Sequence, residues 1–149
     1  MLNTYRERFF VQHSLHTTMN HQNQNRIFVF GNPDLEMDSL PFKLMPKLAE
    51  AFPSMRFELK DPNEEWDVPE EMVVIDAVID LEKVTIFNDL ESFDASPHLS
   101  MHDFDALSNL KYLKKLGKLK KITIIGVPVG ITEEEAFENI TKRIREVVN

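Results

Sequence analysis

Two nearly continuous apolar runs constrain this chain more than any other feature of its sequence. They are MVVIDAV at residues 72–78 and KITIIGV at residues 121–127. A strand with one face in solvent alternates apolar and polar residues, whereas a strand covered on both faces reads as an unbroken apolar run. We therefore expect both runs to be central strands of a sheet that helices cover on both faces.

Three shorter segments complete the predicted sheet. They are RIFVF at residues 26–30, the alternating segment 55–59 and VTIF at residues 84–87. Amphipathic stretches separate the strands and give the order β-α-β-β-β-α-β-α, which is typical of an α/β fold with a mostly parallel, five-stranded sheet. The length of 149 residues allows one such domain, which we place at residues 26–149.

The predicted helices are recognised by their apolar faces and by their end signals. Pro46 is predicted to kink or break the first helix, because it lacks the N–H of a helical hydrogen bond. Residues 102–117 form the second helix, which Gly117 ends, and Thr132 with Glu135 forms a capping box for the third. Residues 88–101 read as a long loop. The three apolar faces comprise Leu40, Leu44, Met45, Leu48, Ala49 and Phe52; Phe104, Leu107, Leu110, Leu113 and Leu116; and Ala136, Phe137, Ile140, Ile144 and Val148.

Residues 1–25 are expected to be a polar, flexible tail. They contain His13, His16 and His21 among Gln and Asn residues. A metal-binding histidine cluster is the alternative, but their irregular spacing favours a solvated arm. We expect no signal peptide and no membrane span, since no apolar stretch is long enough for either.

Cysteine content and net charge exclude several classes of function. The chain has no cysteine, which excludes disulfides, thiolate metal sites and a cysteine nucleophile and favours a cytoplasmic location. The formal charge of −8 argues against nucleic acid as a partner, because such binding depends on many Lys and Arg residues. Six lysines between residues 111 and 121, with no acid, form a solvated face or a docking surface.

Three residues near the predicted carboxyl ends of strands are candidates for chemistry, since ligands of α/β sheets bind at that edge. Asp38 lies in the loop GNPDLEMD after the first strand, Asp76 lies at the end of the central strand, and His102 begins the second helix. Two carboxylates and an imidazole suit a borderline divalent metal such as nickel or zinc. Alternatively, Asp38 caps a helix, Asp76 belongs to a turn and His102 has only a structural role.

Other known chemistries lack their motifs. The sequence has no G-x-S-x-G elbow, no H-E-x-x-H helix and no P-loop. Gly31 stands alone where a dinucleotide site needs three glycines, so nucleotide binding by a flavodoxin-like module is a weak alternative. His98 and His102 are four residues apart and would chelate a metal only on a helix, which Pro97 disfavours.

Four segments of the sequence resemble the nickel-iron hydrogenase maturation endopeptidases. They are VFGNPDLEMDSLPFKLMPKL, VVIDAV, SMHDFDALSNLKYLKKLGKLKKITIIGV and GITEEEAFENITKRI, so the resemblance extends from about Arg26 to the C-terminus. It implies a three-layer αβα sandwich around a twisted sheet, of the phosphorylase/hydrolase-like type. It also implies that Asp38, Asp76 and His102 recognise nickel, with Asn32 and Glu36 as auxiliary residues.

The resemblance implies a hydrolase, a nickel-dependent endopeptidase of aspartic type. Its substrate is the precursor of a hydrogenase large subunit, and it removes a C-terminal extension once nickel has been inserted. The precursor supplies the nickel, and Asp38 or Asp76 acts as the catalytic base. Met37 stands where the family has a second acid beside Asp38. A non-catalytic relative that serves the same partner as a metal-dependent chaperone or sensor is therefore the alternative.

Overall fold

The computed structural model describes residues 25–61, 64, 66–94 and 101–148. The strands are β1 (Arg26–Phe30), β2 (Arg56–Lys60), β3 (Glu71–Val78), β4 (Thr85–Phe87) and β5 (Lys121–Pro128). The helices are α1 (Leu40–Ala51), α2 (Leu90–Asp94), α3 (Met101–Lys115) and α4 (Glu133–Val148), with a short 3-10 helix at Glu36–Asp38. Apart from Asn25, the predicted tail at residues 1–25, with its three histidines, lies outside the described residues.

The strands form one sheet in the order β2-β1-β3-β5-β4. The pairs β1–β2, β1–β3 and β3–β5 are parallel, and β4 runs antiparallel to β5. The two apolar runs are the neighbouring strands β3 and β5, with β3 at the centre of the sheet. The prediction of a mostly parallel five-stranded sheet is confirmed, and its one antiparallel pair lies at an edge.

Helices and connecting segments cover both faces of the sheet and make the molecule three layers thick. We call one face the α1–α4 face; its core contains Ile27, Val29, Leu44, Leu48, Ile75, Ile125, Val127, Ala136, Ile140 and Ile144. We call the other the α2–α3 face; its core contains Phe28, Phe30, Met72, Val74, Val78, Leu90, Phe93, Leu107, Leu110, Leu119, Ile122 and Ile124. The sandwich predicted from the sequence is therefore confirmed.

The prediction that Pro46 breaks the first helix is wrong, because α1 is a single helix of 12 residues. Pro46 and Phe42, whose carbonyl would accept the missing N–H, are both exposed. Water can solvate the Phe42 carbonyl. The missing backbone hydrogen bond therefore costs little, because it lies on the solvent side of the helix.

The loop predicted at residues 88–101 is wrong in part, because it contains α2. Asp89 begins this helix: its Oδ1 accepts hydrogen bonds from the N–H and the hydroxyl of Ser92. Leu90 and Phe93, three positions apart, are buried in the core of the α2–α3 face.

Leu116 was predicted to face the core but is exposed. The helix α3 ends at Lys115, and the N–H of Lys118 donates to the Leu113 carbonyl (3.0 Å) in the turn that contains Gly117. That turn places Leu119 in the core instead. Over the described residues, no helix combines the length and the apolar character that a membrane crossing requires.

Candidate active site

Asp76 is a buried carboxylate in the central strand. It is the third residue from the end of β3, two positions further from the strand end than the sequence suggested, and only 7% of it is exposed. Alternation along the strand places it on the α2–α3 face with Val74 and Val78. Removing a carboxylate from water costs free energy, so packing alone does not explain an acid at this position. The hypothesis of a turn residue is wrong.

Asp76 has a neighbour without a side chain. On β5 it is in register with Gly126. A Cβ on Gly126 would lie 2.8 Å from Cε2 of Phe87 and 3.2 Å from side-chain atoms of Leu81 and Val78. A glycine inside a strand often marks such a close approach. These apolar groups therefore take the space that a side chain beside Asp76 would otherwise fill.

Asp38 belongs to a segment that is fixed to the end of β1. A Cβ on Gly31 would lie only 2.7 Å from the carbonyl oxygen of Asp38, so the close approach of the two backbones requires glycine. The N–H of Asp38 donates to the carbonyl of Leu35 (3.0 Å). The buried Ser39 donates its hydroxyl proton to the carbonyl of Glu36 (2.9 Å). The Asp38 side chain itself is half-buried.

Asp38 directly precedes the N-cap of α1. The N-cap is Ser39, whose own side chain makes no capping hydrogen bond to the helix. Pro41 lies in the first turn, where its missing N–H costs nothing. Asp38 therefore does not occupy the N-cap position of α1.

The structure brings the segments of Asp38 and Asp76 to the same edge of the sheet. The strands β1 and β3 are parallel neighbours, with Val29 in register with Ile75. The chain that leaves β1 therefore emerges beside the last residues of β3, and the 3-10 helix of Asp38 lies against β3. Ligand sites of open α/β sheets lie at this carboxyl edge.

His102 lies in the first turn of α3, but its side chain is outside the part that the structure describes, as is the whole of His98. The last turn of α3 leads to the amino edge of the sheet, where the N–H of Lys120 donates to the Glu70 carbonyl (2.7 Å). A 15-residue helix is about 22 Å long. The connectivity therefore directs the start of α3 toward the carboxyl edge, where Asp76 lies.

The described side chains alone do not form a metal centre: among them, no three His, Asp or Glu residues are close enough to hold an ion. Asn32 and Glu36, the predicted auxiliary residues, lie in the same loop as Asp38. The side-chain oxygen of Asn32 accepts a hydrogen bond from the N–H of Asp34 (3.0 Å), which makes Asn32 a turn-forming residue. Glu36 is exposed in the 3-10 helix.

Sequence reasoning missed the glycine contacts and the exposed apolar side chains of this edge. Gly31 belongs to a segment that carries the family resemblance, but its close contact with Asp38 depends on the tertiary path of the loop. Gly126 within an apolar strand was a usable signal of close approach. Leu35 and Met37, which project into solvent next to Asp38, carried no signal in a single sequence.

Comparison with solved structures identifies the same fold in proteases of known type. The NiFe hydrogenase maturation protease HybD from Thermococcus kodakarensis matches with a TM-score of 0.56 and 20% identity, over 84% of this chain and 99% of that one. The hydrogenase maturating endopeptidase HybD from E. coli matches with a TM-score of 0.50 and 20% identity, over 82% and 93%. An uncharacterized protein from Wolinella succinogenes matches with a TM-score of 0.51 and 16% identity, over 83% and 95%.

The sequence itself matches no protein-family model, and comparison with curated proteins finds no significant relative. At identities of 20% or less, the structural comparison concerns the fold. The fold expected from the resemblance is confirmed: this chain has the fold of the HybD hydrogenase maturation proteases.

Proposed function

We propose that this protein is an endopeptidase of hydrogenase maturation. Its substrate is the precursor of a NiFe hydrogenase large subunit that already carries nickel, and it removes the C-terminal extension of that precursor. The HybD fold supports this assignment. The cysteine-free sequence fits an enzyme that works in the cytoplasm.

The observation that carries the proposal is the buried carboxylate of Asp76 at the carboxyl edge of the sheet. It lies beside the side-chain-free position of Gly126, and the fixed segment of Asp38 reaches the same edge. A buried carboxylate at the edge where such sheets bind ligands is in the position expected of a functional group.

Asp38, Asp76 and His102 would together bind the nickel of the precursor. Carboxylate oxygens and imidazole nitrogens are ligands that divalent nickel accepts, and the substrate's own thiolates would hold the ion from the other side. A nickel ion held by these residues would supply Lewis acidity toward a nearby carbonyl or water. Asp38 or Asp76 then accepts a proton from the attacking water, which is general base catalysis. This arrangement selects the loaded precursor because the empty one offers nothing for the three side chains to bind.

A second candidate is a non-catalytic partner of the same precursor. Met37 stands beside Asp38 at a position where the family has an acid, and its side chain is exposed. The loop thus offers one fewer carboxylate than a protease of this type usually has. Such a protein would bind the nickel-loaded precursor as a chaperone or sensor without cleaving it.

The test is incubation of the pure protein with nickel-loaded and nickel-free precursor, followed by mass spectrometry of the precursor's C-terminus. The variants are Asp38→Asn, Asp76→Asn and His102→Gln. We expect each to slow processing of the loaded form by about 100-fold or more. The matched control is Asp80→Asn, since Asp80 is an exposed acid just after β3 and Asn tolerates its left-handed backbone (φ 58°).

The outcomes separate the candidates. Trimming of only the loaded precursor, lost in the three variants and kept in Asp80→Asn, supports the protease. Binding of the loaded precursor without trimming favours the chaperone or sensor. Trimming that does not depend on nickel, or that survives in the Asp38→Asn and Asp76→Asn variants, would contradict the assignment of these residues.

A further inference from the structure

Two large apolar side chains are exposed together at the end of α3. Tyr112 is 60% exposed and Leu116 is 51% exposed, and among the described residues no large apolar side chain is more exposed than Tyr112. The N–H of Leu116 donates to the carbonyl of Tyr112 (3.0 Å), so the two residues are one helical turn apart. Side chains four residues apart on a helix are neighbours, which places both on one side of α3.

The hydrophobic core does not use this side of α3. Leu107 and Leu110 are buried in the core of the α2–α3 face, together with Leu119 from the following turn. A helix that only covers a sheet presents polar residues to solvent. Single exposed apolar side chains are common, but neighbouring ones are a feature of binding surfaces. Core packing therefore accounts for one side of α3 and leaves the exposure of Tyr112 and Leu116 without a structural reason.

Positive charge accompanies the two apolar side chains. From Ala106 to Thr132 the sequence has six lysines and no acid. Lys115 precedes Leu116, Lys118 follows it in the turn after the helix, and both are exposed. Within the part of the chain that the structure describes, neither lysine side chain has an ion pair or a hydrogen bond. Both ammonium groups are therefore available to a partner.

Acids of the same molecule meet other lysines of this segment. Lys114 contacts Glu91 of α2 (3.1 Å), and Lys120 contacts Glu70 at the start of β3 (3.2 Å). These two ion pairs attach the segment to the rest of the fold. The lysines of the segment thus divide into a pair that stabilises the structure and a pair, next to Leu116, that faces water.

The solvent side of α4 provides a comparison within the same molecule. Its exposed residues before Val148 carry both signs of charge and include no large apolar side chain. Mixed charge of this kind is typical of a helix face that meets only water. The solvent side of α3 differs, because it combines apolar groups with charge of one sign. The exposed residues of α4 before Val148 are Glu133, Glu134, Glu135, Glu138, Lys142, Arg145 and Glu146.

We propose that Tyr112, Lys115, Leu116 and Lys118, which we call the α3 surface, bind an acidic segment of a partner protein. Carboxylates of that segment pair with the two lysines, and its apolar side chains cover Tyr112 and Leu116. This inference goes beyond the proposed function. The turn after α3 leads to the amino edge of the sheet, whereas the candidate active site lies at the carboxyl edge.

Other occupants fit the α3 surface less well. An anionic membrane attracts clusters of about four to eight basic residues and takes up a broad apolar helix face, but the main apolar face of α3 is in the core. Nucleic acid is repelled by the formal charge of −8. A second copy would have to offer a different, acidic surface, and such head-to-tail contacts continue into open chains.

The test follows the backbone amide NMR signals of the full chain during titration with a synthetic peptide in which leucines recur at helical spacing between glutamates. We expect the largest shifts at residues 107–119 and a Kd below about 1 mM. Peptides with Lys in place of every Glu, or Ser in place of every Leu, should bind at least about 10-fold more weakly. Shifts that are largest elsewhere, or equal binding of the three peptides, would overturn the proposal.

Two double variants locate the binding on the α3 surface. Lys115→Glu/Lys118→Glu and Tyr112→Ser/Leu116→Ser should each raise the Kd at least about 10-fold, while thermal unfolding shows that both remain folded. The matched control is Lys43→Glu/Lys47→Glu, which changes the net charge equally at two exposed lysines of α1. Its Kd should stay within about twofold of the wild type. An equal loss in the control would overturn the proposal, because net charge alone would then explain binding.

A final arm tests the membrane and the second copy as occupants. We expect no binding to vesicles of phosphatidylserine and phosphatidylcholine, and a monomer in sedimentation equilibrium of the protein alone. Vesicle binding or self-association that Lys115→Glu/Lys118→Glu abolishes would overturn the proposal and assign the α3 surface to that occupant. None of these measurements uses the hydrogenase precursor, so their outcome is independent of the proposed function.

Discussion

The two faces of the sheet differ in what they bury. On the α1–α4 face, β3 and β5 contribute Ile75, Ile125 and Val127, all completely buried against aliphatic side chains of the two helices. On the α2–α3 face, the same strands contribute Asp76 and Gly126, beside the aromatic ring of Phe87. One pair of strands thus supports a mainly aliphatic core, which includes the buried Thr123, on one side and a carboxylate with a side-chain-free neighbour on the other.

This difference separates residues that only stabilise the fold from residues that are candidates for chemistry. Apolar burial supplies free energy of folding on both faces, because close-packed apolar groups gain from leaving water. The α2–α3 face differs in that it also contains the carboxylate of Asp76, whose burial contributes nothing of this kind. We therefore expect substitutions on the first face to change stability without changing chemistry, and substitutions near Asp76 or Asp38 to change chemistry more than stability.

The largest effect is expected from Ile140→Ala on α4. Ile140 is completely buried, and its truncation should lower the free energy of unfolding by about 3 kcal/mol, through lost burial and a cavity. Denaturant unfolding measures this loss. Processing by the folded fraction should equal that of the wild type. A folded but inactive Ile140→Ala variant would show that the α1–α4 face also affects catalysis.

A smaller and mixed effect is expected from Gly31→Ala. The added Cβ meets the Asp38 carbonyl oxygen at 2.7 Å, so the loop must move, at a cost of about 1–2 kcal/mol. Processing should fall about 10-fold, since Asp38 moves with the loop. The control is Gly130→Ala, where a positive φ of 94° strains the backbone but nothing lies within 4 Å. If both variants process precursor equally well, the contact does not position Asp38.

A change of about 1 kcal/mol is expected from Thr132→Ala. The side-chain oxygen of Thr132 accepts a hydrogen bond from the N–H of Glu135 (3.2 Å), which confirms the predicted cap of α4. Thermal unfolding should show the loss, and Thr132→Ser should restore it because the hydroxyl is kept. Since α4 covers the α1–α4 face, the processing rate of both variants should not change.

The smallest effect, about 0.5 kcal/mol, is expected from Glu58→Gln on β2. Hydrogen bonds from Arg26 (2.7 and 3.1 Å) hold the pKa of Glu58 below its ordinary value of 4.5. A lowered pKa stabilises the fold above the unfolded-state pKa, and this stabilisation disappears as the pH falls through the folded-state pKa. Unfolding from pH 7 to pH 3 should therefore show a difference between the two proteins that is complete above about pH 4.5 and shrinks as the pH falls from there toward pH 3. A difference of the same size at pH 3 and at pH 7 would mean that the charge of Glu58 is not its cause.

The strands were predictable because their signal is local. The unbroken apolar runs of β3 and β5 and the strand β1 follow from burial on both faces, which a single sequence displays directly. The errors came where the deciding contact is not local. The exposed side of α1 tolerates Pro46, and the turn after α3 turns Leu116 outward; both depend on which side of a helix meets the core.

The candidate site was predictable as residue types but not as geometry. Asp38 and Asp76 were found from their positions after and within predicted strands. Their common edge depends on β1 and β3 being neighbours, which the order of strands in the sequence does not determine. The contact of Gly31 with Asp38 likewise depends on the path of a loop in three dimensions.

The ion pairs of β2 disfavour the addition of another strand at this edge of the sheet. Within the described part of the chain, β2 is an edge strand, and its residues Arg56, Glu58 and Lys60 form ion pairs, with Arg26 joining Glu58 from β1. An extended chain that added itself to this edge would have to pack against these charges and remove them from water. The protein can thus leave a sheet edge open while discouraging the strand-to-strand association that begins aggregation.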